Sequence, residues 1–150
     1  MKIMFVCHGN ICRSPLAEIL FERVASKKGI SEDFEAFSSA TSYEEIGNPI
    51  YPPVKMLLKE KNIPFKEHYS TKLYPQDYGK YDLFIVMDEN NMRNIHRIFT
   101  SDPDKKIHKL LSFAGADRDV SDPYYSGDFN KAFDDIYYGV AALIEWLESR

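Results

Sequence analysis

Apolar residues along the chain fall into short unbroken runs and longer stretches with a helical repeat, and the two alternate. Lys2 to Val6 is too short and too apolar for amphipathic alternation, as expected of a strand buried on both faces. Gly9 and Asn10 break it. Ser14-Pro15 predicts a helix start, with the serine as cap and the proline in the first turn. Leu16, Ile19, Leu20 and Val24 then recur with a 3.6-residue period until Gly29 ends the stretch. A second strand is predicted over Phe34 to Ser39. After a polar loop, Pro52-Pro53 open a helix with Val54, Leu57 and Leu58 on its inner face. Asp82 to Met87 reads as a third buried strand, and Asp88 as the N-cap of a helix carrying Met92, Ile95 and Phe99. Ile107 to Phe113 is a weaker fourth strand. The last stretch is the most periodic: Phe129, Phe133, Ile136, Val140, Leu143, Ile144 and Leu147 mark one helical face. Strands alternating with helices predict an α/β fold, a parallel sheet covered on both sides and wound by right-handed crossovers. Ligands bind such sheets beyond the carboxyl ends of the strands, and Cys7 stands at the end of the first one.

The segment that follows reads Cys7-His8-Gly9-Asn10-Ile11-Cys12-Arg13-Ser14. A loop curling into a helix N-terminus aims several backbone N–H groups at one spot, and the helix dipole adds positive potential there. Gly9 and Asn10 are residue types that tolerate the left-handed backbone such a curl needs. Arg13 adds a planar fork that matches two phosphate oxygens. The same positive surroundings favour an anionic, attacking sulfur at Cys7. One loop is thereby expected to bind a phosphate and to activate its attacker. It is not the nucleotide-binding glycine loop, which ends in Gly-Lys-Ser/Thr. A single Cys or a Cys-five-residues-Arg spacing is a weak pattern alone; the preceding strand, the Gly-Asn pair and the Ser-Pro helix start give it weight.

Composition narrows the classes. With 150 residues, 44% hydrophobic and 28% charged, the chain is expected to form one domain, residues 1–150, around one substantial core. A net charge of -4 argues against a nucleic-acid binder. No run is long enough for a membrane span or a signal peptide, so the expected location is cytoplasmic. Two cysteines, Cys7 and Cys12, do not make a disulfide framework. His8, His68, His96 and His108 do not fall at ligand spacing, so no metal site is expected.

On these residues the chain resembles the low-molecular-weight protein tyrosine phosphatases over nearly its whole length. Cys7 to Ser14 with Pro15 matches the family's first signature and Asp122-Pro123-Tyr124-Tyr125 its second. Ser38-Ser39-Ala40-Thr41-Ser42 with Gly47, and Met87-Asp88-Glu89 with Asn91, fit in between. The resemblance implies a doubly wound, flavodoxin-like sheet of four parallel strands in the order 2-1-3-4, with no cofactor. It implies a phosphotyrosine phosphatase acting on proteins or peptides, with no nucleic-acid or membrane partner, working as a monomer through a phosphocysteine. Cys7 would be the nucleophile, Arg13 the phosphoryl clamp and Asp122 the general acid and then base. Asn10 would hold the loop and Ser14 would donate to the Cys7 sulfur. His8, Ile11, Tyr124 and Tyr125 match cleft-lining positions, with Gly9 and Cys12 completing the loop.

One departure stands out. Where many relatives carry an aromatic residue in the variable loop, this chain has Glu44, with Tyr43 beside it. Tyr43 would replace that aromatic only if the loop shifts, and Glu44-Glu45 at the rim would disfavour acidic peptides. Two related activities compete. A thioredoxin-coupled arsenate reductase needs further cysteines to relay a disulfide, and none follows Cys12. A phosphoarginine phosphatase typically has Thr before the second cysteine, where Ile11 offers an apolar wall for an aromatic ring. A non-catalytic phosphate binder would need neither Cys7 nor Asp122.

Overall fold

The first strand, β1 (Lys2–Cys7), is buried from its second residue onward and lies inside the sheet. The computed structural model describes residues 1–150. Four parallel strands lie in the order β2-β1-β3-β4, with β2 at Glu35–Ala40, β3 at Leu83–Val86 and β4 at Ile107–Lys109. Cys7 pairs with Ala40, so the ends of β1 and β2 are level.

The unbroken apolar runs have a direct cause. Ile3, Phe5, Leu83 and Ile85 enter one core, with α1 (Arg13–Lys27), α2 (Pro52–Glu60) and α5 (Phe129–Glu148). Met4, Val6, Phe84 and Val86 enter a second, smaller core against Ile95 and Phe99, at α3 (Glu89–Ile98) and just after it. Every position of β3, and of β1 after Lys2, is therefore inside, and no polar alternation survives there. No helix is long and apolar enough to cross a membrane.

Two local readings need correction. The helix predicted to start at a Ser14 cap starts at Arg13, after Cys12, with no side chain capping it. Ser14 lies in the first turn, fully buried, with its hydroxyl on the Cys7 sulfur. A capping side chain would occupy the amides that an anion needs. The fourth strand ends at Lys109, because Leu110 to Ala114 turn into a 3₁₀ segment that buries Leu110 and Leu111. The cause is a close approach to α5: a Cβ on Gly139 would lie 2.5 Å from Leu110 Cγ. Asp122, at the end of an irregular segment, caps a short helical turn, α4 (Pro123–Ser126), accepting from the Tyr124 N–H at 3.0 Å.

Candidate active site

Asn10 sets the shape of the loop between β1 and α1. It has a φ of 59°, in the left-handed region, and it is fully buried. Gly9 does not share that backbone; its role is close approach, since a Cβ there would lie 3.3 Å from Glu45 Cγ. The strain at Asn10 is held by its own side chain. Its Oδ1 accepts from His68 Nε2 at 3.0 Å and from the Thr71 N–H at 3.1 Å, while its Nδ2 donates to Ser14 Oγ at 2.7 Å. Because the Ser14 oxygen receives that bond, its own hydrogen is free for Cys7 Sγ, 3.0 Å away. The Asn10 N–H reaches the same sulfur at 3.3 Å. Burial holds the His68 imidazole below the usual histidine range, offset in part by Asn10, so the strut is a neutral ring.

Arg13 is almost wholly buried beneath this loop. Its Nη1 donates to Asp88 Oδ2 at 2.8 Å and to the Val120 carbonyl at 2.7 Å, and its Nη2 reaches Asp122 Oδ2 at 3.4 Å. The Nε–H takes no protein partner, which leaves one edge of the fork available to an anion. Burial works against the charge, but Cys7, Asp88 and Asp122 outweigh it and hold the guanidinium above its ordinary range. Cys12 goes the other way. Burial first, then Cys7 and Asp122, push its thiol above the usual cysteine range, so it stays protonated.

These groups open into a cleft of about 170 Å³. Cys7, Asn10, Cys12 and Arg13 line it from the loop, His8, Gly9 and Ile11 join them, and Asp122, Tyr124 and Tyr125 line the opposite side. Of the residues singled out in the sequence only Ser14 is absent from the lining, because it lies behind Cys7. Ile11 is 8% exposed and offers little surface, whereas Tyr124 and Tyr125 are 51% and 79% exposed. Tyr43 does not turn into the cleft. Its ring lies 6.5 Å from that of Tyr74, with Lys72 Nζ 4.8 Å from its centroid. Glu44 and Glu45 line the mouth instead.

Two partners escaped the sequence reading. Asp88 is the predicted N-cap of α3, through Oδ1 to the Asn91 N–H at 2.7 Å, but its other oxygen also holds Arg13. Its place at the end of β3, the strand beside β1, was the available signal. His68 carried none, since nothing local relates it to a residue 58 positions earlier.

The family model for low-molecular-weight phosphotyrosine protein phosphatases matches residues 2–150. A low-molecular-weight protein-tyrosine-phosphatase of Bacillus subtilis, YfkJ, is 32% identical over 96% of this chain and 94% of its own. The human low-molecular-weight phosphotyrosine protein phosphatase is 34% identical, covering 91% and 86% respectively. The crystal structure of YfkJ superposes with a TM-score of 0.94 over 99% of this chain and 95% of that one, at 32% identity. A protein tyrosine phosphatase from Entamoeba histolytica, crystallised with Hepes in its active site, gives 0.91 at 27% identity over 99% and 97%.

Proposed function

From the premise that the chain belongs to the low-molecular-weight phosphotyrosine protein phosphatases, we propose that it hydrolyses phosphotyrosine through a phosphocysteine on Cys7, with Asp122 as acid and base. The observation that carries this reading is that the Cys7 sulfur, with hydrogen bonds from the Asn10 N–H and the Ser14 hydroxyl, shares one cleft with the Asp122 carboxyl. The free edge of Arg13 sits at its floor.

In the first step the Cys7 sulfur bonds to phosphorus and the P–O bond to the tyrosyl ring breaks. The leaving oxygen takes a proton from Asp122, and the loop amides and Arg13 hold the three equatorial oxygens. In the second step a water oxygen bonds to phosphorus as the S–P bond breaks. Asp122, now a carboxylate, takes the proton of that water, and inorganic phosphate leaves with the sulfur restored as an anion. Depth favours an aromatic carrier, because a tyrosyl spacer reaches further than a serine methylene, and Tyr124 and Tyr125 offer faces to stack on it.

The test compares two variants and the wild-type protein on four substrates. Cys7→Ser should abolish turnover yet still bind vanadate, since the loop amides remain. Asp122→Ala should slow phosphotyrosine hydrolysis by roughly 10²–10⁴. It should slow p-nitrophenyl phosphate less, because that leaving group needs little protonation. Wild-type protein should prefer a phosphotyrosine peptide over matched phosphoserine and phosphoarginine peptides by a large factor. A Cys7→Ser variant that turned over near the wild-type rate would end the mechanism. Equal losses for Asp122→Ala across leaving groups would remove the acid assignment.

A further inference from the structure

The floor and the mouth of the cleft carry opposite charge. Arg13 and the loop amides make the floor positive. The mouth has three carboxylates, Glu44, Glu45 and Asp122, and no lysine or arginine. Lys72, beside Tyr43, lies over the Tyr43 and Tyr74 rings and donates to the Leu73 carbonyl at 2.8 Å. Asp122 is engaged with the Tyr124 N–H and with Arg13. That leaves Glu44 and Glu45 to meet whatever surrounds the phosphate.

Their positions are defined. Glu45 is fixed by Asn48 Nδ2 at 2.6 Å and lies against Gly9, so its charge is held beside the loop. Glu44, with its side chain 68% exposed, accepts from His8 Nε2 at 2.9 Å. Its second oxygen takes no protein partner. A phosphotyrosine ring that fills the cleft brings the residues immediately before and after it to this mouth. An acidic neighbour there adds a like charge to two existing ones, while a lysine or arginine finds a preoriented acceptor.

We propose that Glu44 and Glu45 select phosphotyrosine segments with basic residues directly beside the phosphotyrosine, a substrate class that rests on reading the cleft as the phosphotyrosine site. An aromatic at this position would stack without regard to charge; a carboxylate converts the mouth into a charge filter. Glu44, bound to His8 through one oxygen, presents the other to the incoming cation.

Three phosphotyrosine peptides alike except for Lys, Ala or Glu on both sides of the phosphotyrosine test this through kcat/KM ratios, in which effects on the chemical step cancel. The Lys-flanked peptide should exceed the Glu-flanked one by about fivefold or more, the range of partly exposed ion pairs. The ratio should fall toward one as salt shortens the screening length from about 10 Å at 0.1 M to about 3 Å at 1 M. Glu44→Gln/Glu45→Gln should bring it near one, and Glu44→Lys/Glu45→Lys should invert it. Glu32→Gln/Glu35→Gln, two equal charge removals at the opposite end of the sheet, should leave it unchanged. A wild-type ratio near one overturns the proposal, as does a ratio that survives Glu44→Gln/Glu45→Gln or falls equally with the remote pair. If no phosphotyrosine peptide were hydrolysed at all, the underlying functional reading would fall, and this one with it.

Discussion

Asp88 gives one carboxylate oxygen to the start of α3 and the other to Arg13. Asp88→Asn keeps an oxygen for the cap but removes the charge opposite the guanidinium. Misplacing a phosphoryl clamp by about an ångström costs on the order of a hundredfold in rate. The variant should therefore lose at least about tenfold in kcat on p-nitrophenyl phosphate while its melting temperature changes little. A wild-type rate would show that the Val120 carbonyl alone orients Arg13. At Cys12 the same scale offers a redox test. On the proposed reading Cys7 is the sulfur that peroxide attacks, and the Cys12 thiol, giving up its proton as its sulfur attacks, displaces water from the resulting sulfenic acid to form a disulfide. That requires the two Cβ atoms to come within about 3.5–4.5 Å, which a loop wrapped around an anion allows. Wild-type protein treated with peroxide should regain activity in dithiothreitol, and Cys12→Ser should recover poorly. Full recovery of the mutant would make Cys12 a packing residue only.

Glu18, half-buried between α1 and β2, is an element-scale feature that periodicity conceals. It follows two buried residues of α1, and its Oε1 accepts from Ser38 at 2.6 Å. Burial lifts its carboxyl to about 7; the Ser38 bond pulls it back in part, and Glu22 pushes it further up. The folded state thus favours the protonated form. The associated stability is fully present below the unfolded-chain value and is lost as pH rises through about 7. Glu18→Gln, neutral at every pH and still able to accept from Ser38, should be more stable than wild type above pH 7 by about 1–3 kcal/mol. The advantage should vanish toward about pH 4, as followed by urea titration. A pH-independent difference would count against the buried-acid account. In the sequence a glutamate beside a helical stripe reads as a solvated face, because its burial depends on an edge strand some twenty residues away. Gly139 is a parallel case. Helix propensity alone predicts that Gly139→Ala gains up to about 1 kcal/mol. The 2.5 Å approach to Leu110 predicts instead a loss of about 1–3 kcal/mol, and thermal unfolding decides the sign. The stripes of α1, α2 and α5 were legible because they need only their own residues. The fourth strand's early end was not, since it depends on α5.

At the scale of the whole molecule, the segment that carries Asp122 is pinned from three directions. Arg118 makes a two-pronged pair with Asp135 of α5 at 2.9 and 3.0 Å. Lys109, the last residue of β4, holds Asp119 at 2.8 Å, and the Val120 N–H donates to the Met87 carbonyl at 2.9 Å. Only the ends of this arrangement could be seen in the sequence, as two signatures far apart; the pins are ordinary charged residues whose meaning lies in the packing. Arg118→Ala should loosen the acid without touching the sulfur. Phosphotyrosine turnover should then fall more than that of p-nitrophenyl phosphate, and vanadate affinity should hold. Loss of vanadate binding would place Arg118 in the general stability of the fold instead.

The three bonds of Arg13 span 75, 107 and 109 residues of chain. A chain still being synthesised can form β1 and α1 early, yet two of the three partners of its arginine are missing until Val120 and Asp122 have emerged. The proposed nucleophile is thus made well before the residues that complete the pocket around its arginine. An unfinished chain carries its cysteine without the means to use it. On the proposed reading phosphate or vanadate needs the closed pocket, so it should stabilise the full-length chain by RT ln(1 + [L]/Kd) and leave chains ending before Val120 unaffected.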